Sequence, residues 1–303
     1  MKKITLFLLL LCHCATSGPR LEQAALKTMV IYDTYSLKNA KSEQIYRFSV
    51  RNPEDLDLIQ SLPNLQELHI DISGSKTIPD SVFKLKNLTN LFVYSFLESI
   101  PADISKLSNL EVLYLRHAKL SGLPAEISNL KNLKELTIKE YQLDKIPAEI
   151  LNLTKLEKLE LVGGKITEVP KEIGNLKNLK SINISFNKIQ KISAELGKLS
   201  SLQEVICTNN SLRTVPKDLF SKMNSLTKVS FESNQIPQAY PTNATVQAYS
   251  YLPPHQNTLT VKKDSPIFLL QIEPKTIGSI SGNWALVNVK DNLYYILAET
   301  LSF

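Results

Sequence analysis

Cysteine is nearly absent: there are three in 303 residues, and two of them, Cys12 and Cys14, sit at the end of an amino-terminal apolar run. Beyond that run only Cys207 remains, so neither a disulfide framework nor a paired-cysteine zinc site can be drawn. Histidine is almost as scarce. Past residue 18 there are three: His69, His117 and His255. Glycine numbers nine and forms no phosphate-cradling loop, and no nucleophile elbow is present. The chain is therefore expected to be no enzyme and to need no metal or cofactor. Charge of one sign does not dominate either, since the net value is +6. Lys86, Lys131 and Lys177 recur at one spaced position and make a solvated row, not a phosphate-binding patch. Nucleic acid is not an expected partner.

Long hydrophobic runs are missing as well. The run Ile4 to Leu11 is too short to span a bilayer as a helix. Preceded by Lys2 and Lys3, it has the pattern of a secretory signal over residues 1–18 and is set aside from the fold. The run ends in Leu11-Cys12-His13-Cys14-Ala15-Thr16-Ser17-Gly18. A cysteine so placed resembles a bacterial lipobox, in which that cysteine becomes the lipidated first residue. Cys14 is the expected lipidation site, because Cys12 would truncate the apolar run. His13 and Leu11 stand where the lipobox has small residues, and the alternative is plain cleavage near Ala15 to Gly18. In both cases export is expected, to the cell envelope or to the exterior, with membrane contact only through the lipid.

What is present is a repeat. Leu-x-x-Leu-x-x-Leu-x-Leu followed by Leu-Pro-x-Glu-Ile begins at Leu62, Leu85, Leu107, Leu130, Leu153, Leu176, Leu199 and Met223. Successive starts differ by 23, 22, 23, 23, 23, 23 and 24 residues. Such a period predicts a solenoid of eight coils over 62–237, each too small to bury its own apolar side chains alone. Within a coil the alternating leucines predict one short strand of a parallel sheet, leucines inward and the residues between them on the concave face. The proline begins the extended return to one helical turn. Asn187, Asn210 and Asn234 follow the strands of the last three coils, where an asparagine can bond the neighbouring turn. The first five coils have Ser73, Phe96, Ala118, Tyr141 and Gly164 there, so other packing must satisfy those turns. Cys207 replaces a core leucine.

Residues 19–61 read as an amino-terminal cap, with a strand at Ile45 to Val50 and a helix start at Pro53-Glu54-Asp55-Leu56. After Pro237 the leucine spacing stops. Residues 238–257 read as a proline-punctuated linker. Residues 258–303 read as a small β domain, with strands at 259–262, 266–272, 276–280, 283–289 and 292–297 and a hairpin turn at Asp291-Asn292.

The motifs Leu85-Lys86-Asn87-Leu88, Leu130-Lys131-Asn132-Leu133 and Leu176-Lys177-Asn178-Leu179 occur with Leu123-Pro124-Ala125-Glu126-Ile127, Ile146-Pro147-Ala148-Glu149-Ile150 and Val169-Pro170-Lys171-Glu172-Ile173. Together they resemble the bacterial 23-residue leucine-rich-repeat proteins. The resemblance implies an α/β solenoid: a leucine-rich-repeat horseshoe with a parallel concave sheet, here followed by a small all-β domain. Such proteins are mostly protein-binding modules, some of them exported. Some bacterial relatives carry a carboxy-terminal ubiquitin ligase with a catalytic cysteine, but no cysteine follows Cys207. Gly282 to Val287 with Tyr294-Tyr295-Ile296 resembles the end of a bacterial SH3-like domain, in which Trp284 reads as core. Asn-x-Ser/Thr triplets such as Asn87-Leu88-Thr89 and Asn152-Leu153-Thr154 arise from the repeat itself.

The concave face carries one cluster that packing does not need. Phe92 and Tyr94 lie on coil two, with Tyr114 and Arg116 beside them on coil three. Adjacent strands are about 4.8 Å apart, so the four side chains are expected to meet. Exposed aromatics with an arginine have the composition of an interface hot spot, and these four are the candidate protein-binding residues. The alternative is that a cap segment or a self-contact covers them. Glu67, His69 and Asp71 share a strand face at a spacing too wide for one metal ion and read as a solvated row. The function expected is non-catalytic protein binding on the concave face. The rivals are an enzyme with its site in the carboxy-terminal domain and a structural spacer of the envelope.

Lipidation gives the first test. The wild-type chain should take up metabolic palmitate label and enter the detergent phase, and Cys14→Ser should abolish both while Cys12→Ser does not. A wild-type chain without label in the soluble fraction means plain secretion.

Overall fold

The computed structural model describes residues 45–213 throughout, then 215–216, 219, 225–226, 228–231 and 233–234, and the backbone of strands at 30–31, 246–250, 258–261, 268–277, 280–289 and 292–297. The signal segment with Cys12 and Cys14, and the side chain of Trp284, lie outside the described residues. Ten strands form one parallel sheet: β1 (Val30–Ile31), β2 (Arg47–Val50), β3 (Glu67–Ile70), β4 (Asn90–Val93), β5 (Val112–Leu115), β6 (Glu135–Lys139), β7 (Lys158–Val162), β9 (Ser181–Asn183), β11 (Glu204–Ile206) and β12 (Lys228–Ser230). Each pairs with the next coil in unbroken register, for example Phe92 with Tyr114 and Leu91 with Leu113. On the far side β8 (Glu168–Val169) and β10 (Lys191–Ile192) make a two-stranded parallel ladder.

The return segments follow from proline. Pro79, Pro101, Pro124, Pro147 and Pro170 precede short helical turns, mostly 3-10, such as Ala102–Lys106 and Ala125–Asn129. Proline's fixed φ suits the extended entry, and each turn has an acid in its first residues, where the exposed N–H groups favour negative charge. In coil six Ser193 replaces proline, and its Oγ accepts from Glu195 N at 3.2 Å. The Pro53–Leu56 turn starts as the sequence indicates.

The core is one continuous cluster of leucine, isoleucine and valine from Ile45 to Phe231. Cys207 is fully buried in it, and burial pushes its thiol up to about 12. Asparagine closes the last coils. The Asn187 side chain donates to Leu161 O at 2.9 Å and accepts from Ile166 N at 3.2 Å. Asn210 and Asn234 repeat this one and two coils later, donating to Ile184 O and Cys207 O and accepting from Ile189 N and Leu212 N. A second asparagine row, at the third place of Leu-Lys-Asn-Leu, ties the opposite edge. Asn87, Asn109, Asn132 and Asn178 each donate to a carbonyl of the preceding coil at 2.8–2.9 Å.

The middle coils solve the missing asparagine with a pair. Tyr141, on coil four, is 1% exposed, and its hydroxyl donates to Asn187 Oδ1, on coil six, at 2.8 Å. The ring crosses coil five, where the equivalent position is Gly164. A Cβ there would lie 1.9 Å from Tyr141 Cε2. Coil two differs again. It is the coil of 22 residues. Ser95 takes its interior place and accepts from Ile72 N at 3.3 Å, while Phe96 is turned out.

A five-stranded antiparallel sheet follows, in the order β14 (Thr258–Val261), β13 (Val246–Ser250), β17 (Asn292–Leu297), β16 (Ile280–Val289), β15 (Phe268–Ile277). Strand β13 lies inside the stretch read as a linker, and one strand, β15, joins most of the strand expected at 266–272 to the first residues of the one expected at 276–280.

Gly164→Ala should lower stability in urea by roughly 1–3 kcal/mol, because the added methyl overpacks a filled site. In a Tyr141→Ala background the same change should cost much less, since the ring it strikes is gone. Equal cost in both backgrounds would show that Tyr141 does not pass Gly164.

An aromatic stack as candidate functional site

The period of the repeat aligns side chains across coils. His69, Phe92 and Tyr114 are paired neighbours on β3, β4 and β5, and Tyr94 follows β4 by one residue. Their backbones are fixed by the buried leucines between them, Leu68, Leu91 and Leu113, each fully buried. The rings face the concave side and are half-buried by one another.

His69 and Phe92 stack at 4.4 Å with planes 8° apart. Phe92 and Tyr114 meet at 5.9 Å, and Tyr94 and Tyr114 at 5.6 Å, both tilted. Such offset and tilted pairs suit the ring quadrupoles. Lys139 Nζ lies 5.7 Å from the Tyr114 ring centroid, a cation over a π face. Arg116 is exposed at the end of β5, and no described residue makes an ion pair with it. Of the four residues the sequence singled out, three pack together and Arg116 flanks them.

A polar relay underlies the stack. Arg47 Nη2 reaches the Glu67 carboxylate at 2.5 Å, and Glu67 Oε1 lies 2.6 Å from His69 Nε2. Tyr94 Oη stands 3.4 Å from His69 Nδ1. A proton on Nε2 donates to Glu67, and Nδ1 faces the phenol. Burial pushes the Glu67 carboxyl up, but hydrogen bonds and charge from His69 and Arg47 outweigh it and hold it below the usual carboxylate range. Tyr94 is raised, first by burial and then by Tyr114 and the Glu67 and Asp71 carboxylates, with Arg116 opposing. The phenol stays protonated and remains a donor.

The row Glu67, His69, Asp71 is thus not a uniformly solvated one. Glu67 is 6% exposed and His69 belongs to the stack, while Asp71 alone is exposed. The signal was present: His69 stands 23 residues before Phe92, one full coil.

Further along, the concave face changes character. Glu160 takes Lys158 at 2.8 Å and Lys139 at 3.4 Å. Glu204 takes Lys228 at 2.9 Å and the Ser181 hydroxyl at 2.8 Å. Most charge there is satisfied across coils, so the aromatic end offers the larger unsatisfied surface.

Residues 154–206 match the family model described as Leucine rich repeat. No curated protein sequence matches the chain. Among solved structures the chain is similar to a leucine-rich-repeat protein of Leptospira interrogans, at 27% identity over 68% of this chain and 53% of that one, with a TM-score of 0.62. It is also similar to the plant peptide hormone receptor RGFR1 in complex with RGF2, at 25% identity over 68% of this chain and 34% of that one, TM-score 0.52. An internalin, inlF, of Listeria monocytogenes shares the fold at 18% identity over 64% of this chain and 62% of that one, TM-score 0.53. The chain spans about half the length of the Leptospira protein and about a third of the plant receptor. The fold is a leucine-rich-repeat solenoid, and the family that matches is a repeat scaffold, not a catalytic one. No helix among the described residues is long and apolar enough to cross a membrane.

The depressed Glu67 carboxyl gives a pH prediction. Its stabilisation is present above the unfolded carboxyl value and is lost as pH falls through the lower folded one. Urea midpoints should therefore drop between about pH 4.5 and more acid values. Glu67→Gln should lower stability at neutral pH and flatten that acid drop. An unchanged acid limb would mean that the Arg47–Glu67–His69 contacts contribute nothing.

Proposed function

We propose that this protein is a non-catalytic protein-binding module of the bacterial cell envelope or exterior, holding its partner on the concave face through Phe92, Tyr94, Tyr114 and Arg116. The observation that carries the proposal is the aromatic stack itself. The interior is filled by leucines without it, so folding does not require three rings and an arginine on an open sheet face. A spacer has no use for such a surface. The complex of the plant receptor RGFR1 with RGF2 supports the reading, because a similar solenoid there holds a peptide hormone. Export rests on Lys2, Lys3 and the run to Leu11, and anchoring rests on Cys14. One acyl chain holds a protein to a membrane only weakly, while several hold it stably, as in bacterial lipoproteins. On their SH3-like resemblance we read residues 258–303 as a small β domain that follows the solenoid in sequence.

Affinity capture with the purified mature chain should yield a partner whose binding falls by roughly 1–3 kcal/mol in Tyr94→Ala or Tyr114→Ala. Neither change should cost more than about 1 kcal/mol of stability, whereas Leu113→Ala should cost roughly 2–5 kcal/mol. A partner held equally by wild type and both tyrosine variants would place binding elsewhere. A hydrolase or transferase activity mapped to residues 240–303 would overturn the non-catalytic reading.

A further inference from the structure

We infer that the binding surface continues past the sheet edge onto the loops that follow β4 and β5, through Arg116 to Phe96, His117 and Lys119, and that it fits an extended peptide segment whose carboxylates flank an aromatic or aliphatic side chain. The inference rests on the proposed function and specifies the partner.

Phe96 is the starting point. It is 55% exposed, and with Phe186 it is one of two exposed large hydrophobic residues among those described. The equivalent positions of neighbouring coils, Ala118 and Tyr141, are 0% and 1% exposed. Coil two is one residue short of 23, Ser95 fills the interior place, and the core has no claim on the phenylalanine. The ring is nevertheless held in a defined place. His117 lies 5.2 Å away, tilted by 33°, and Lys119 Nζ lies 5.7 Å from its centroid. His117 is in turn bonded to Glu140 across the coil. Its left-handed φ of 56° is a feature of the repeat, shared with Glu140, Phe186, Asn209 and Ser233, and needs no functional cause. Phe96 follows Tyr94 by two residues and His117 follows Tyr114 by three, so the concave rings and the edge rings form one surface.

Charge decides the occupant. Near the rings, Glu67 is matched by Arg47, Glu140 by His117, and Glu160 by Lys139 and Lys158. Among the described charges around the rings, Arg116 and Lys119, with Arg51 at the far edge, make no ion pair, against Asp71 and Glu135. Lysines already lie over Tyr114 and Phe96, so a cationic ligand would meet like charge at both faces. A nucleic-acid strand needs a continuous cationic track, and here Asp71, Glu140 and Glu160 interrupt it. Two cations around an apolar stack instead suit carboxylates set on either side of an apolar side chain, with Arg116 able to hold one in a fork.

The test uses a random-peptide phage library selected on the full chain, with peptides counter-selected on Tyr94→Ala/Tyr114→Ala. Enriched peptides should carry Asp or Glu around an aromatic or aliphatic residue. Their binding should weaken about tenfold or more in Arg116→Glu and in Phe96→Ser, and in Lys119→Glu as well. These exposed changes should leave the melting midpoint where it is. Peptides lost in the tyrosine variants but unaffected by Phe96→Ser and Lys119→Glu would overturn the inference and leave the proposed function standing. Peptides without acidic residues, or tighter binding of a labelled single-stranded oligothymidylate, would also overturn it. No enrichment that depends on Tyr94 and Tyr114 would overturn both.

Discussion

Every coil of this protein depends on the coil beside it. One strand and one helical turn cannot exclude water from their own leucines, and burial is achieved only when the next coil covers them. The parallel ladder holds this stacking in one register from Arg47 opposite Glu67 to Ile206 opposite Ser230. A slip of one residue would turn Leu91, Leu113 and Leu136 to solvent and Phe92, Tyr114 and Thr137 inward. The register that builds the core therefore also builds the candidate site, because the same alternation sends the aromatic residues to the concave face.

The contacts that guard the register vary along the chain. Asparagine rungs do so at one edge of the last three coils, through Asn187, Asn210 and Asn234, and at the opposite edge through Asn87, Asn109, Asn132 and Asn178. In the middle, where those positions lack asparagine, Tyr141 reaches over Gly164 to Asn187 and links three coils through one ring. Its burial drives the phenol far above its ordinary value, against the opposing effect of the bond to Asn187, so it remains a donor at any pH the fold tolerates. In the amino-terminal coils the relay Arg47–Glu67–His69–Tyr94 runs across the sheet instead of through the core. That relay fixes the ring on which Phe92 stacks, so the site is preorganised by polar contacts as well as by leucines.

Much of this was legible in the sequence. The repeat starts gave the coils, the leucine alternation gave the inward face, and the late asparagines gave their turns. Phe92, Tyr94 and Tyr114 could be brought together because neighbouring coils place matching positions side by side. The parts that could not be read have physical reasons. Tyr141 and Gly164 look like unrelated exceptions until a ring crossing coil five explains both. The outward turn of Phe96 follows from one missing residue, a local change that a consensus cannot convey. His69 was assigned to a polar row because only its own strand was considered, not the coil beyond. In the carboxy-terminal sheet, the strands expected at 266–272 and 276–280 are joined through Pro274. It lies inside β15, opposite Asn283, and it is tolerated there because β15 is an edge strand whose other side needs no N–H.

The central claim is that one concave aromatic surface, fixed by the coil register, is where a partner sits. Amide hydrogen exchange on the full chain, measured free and with a captured partner, tests it most directly. The account predicts new protection in the peptides that contain residues 90–94 and 112–117, with the leucine core of the later coils unchanged. New protection confined to residues 258–303, with none across β4 and β5, would contradict it.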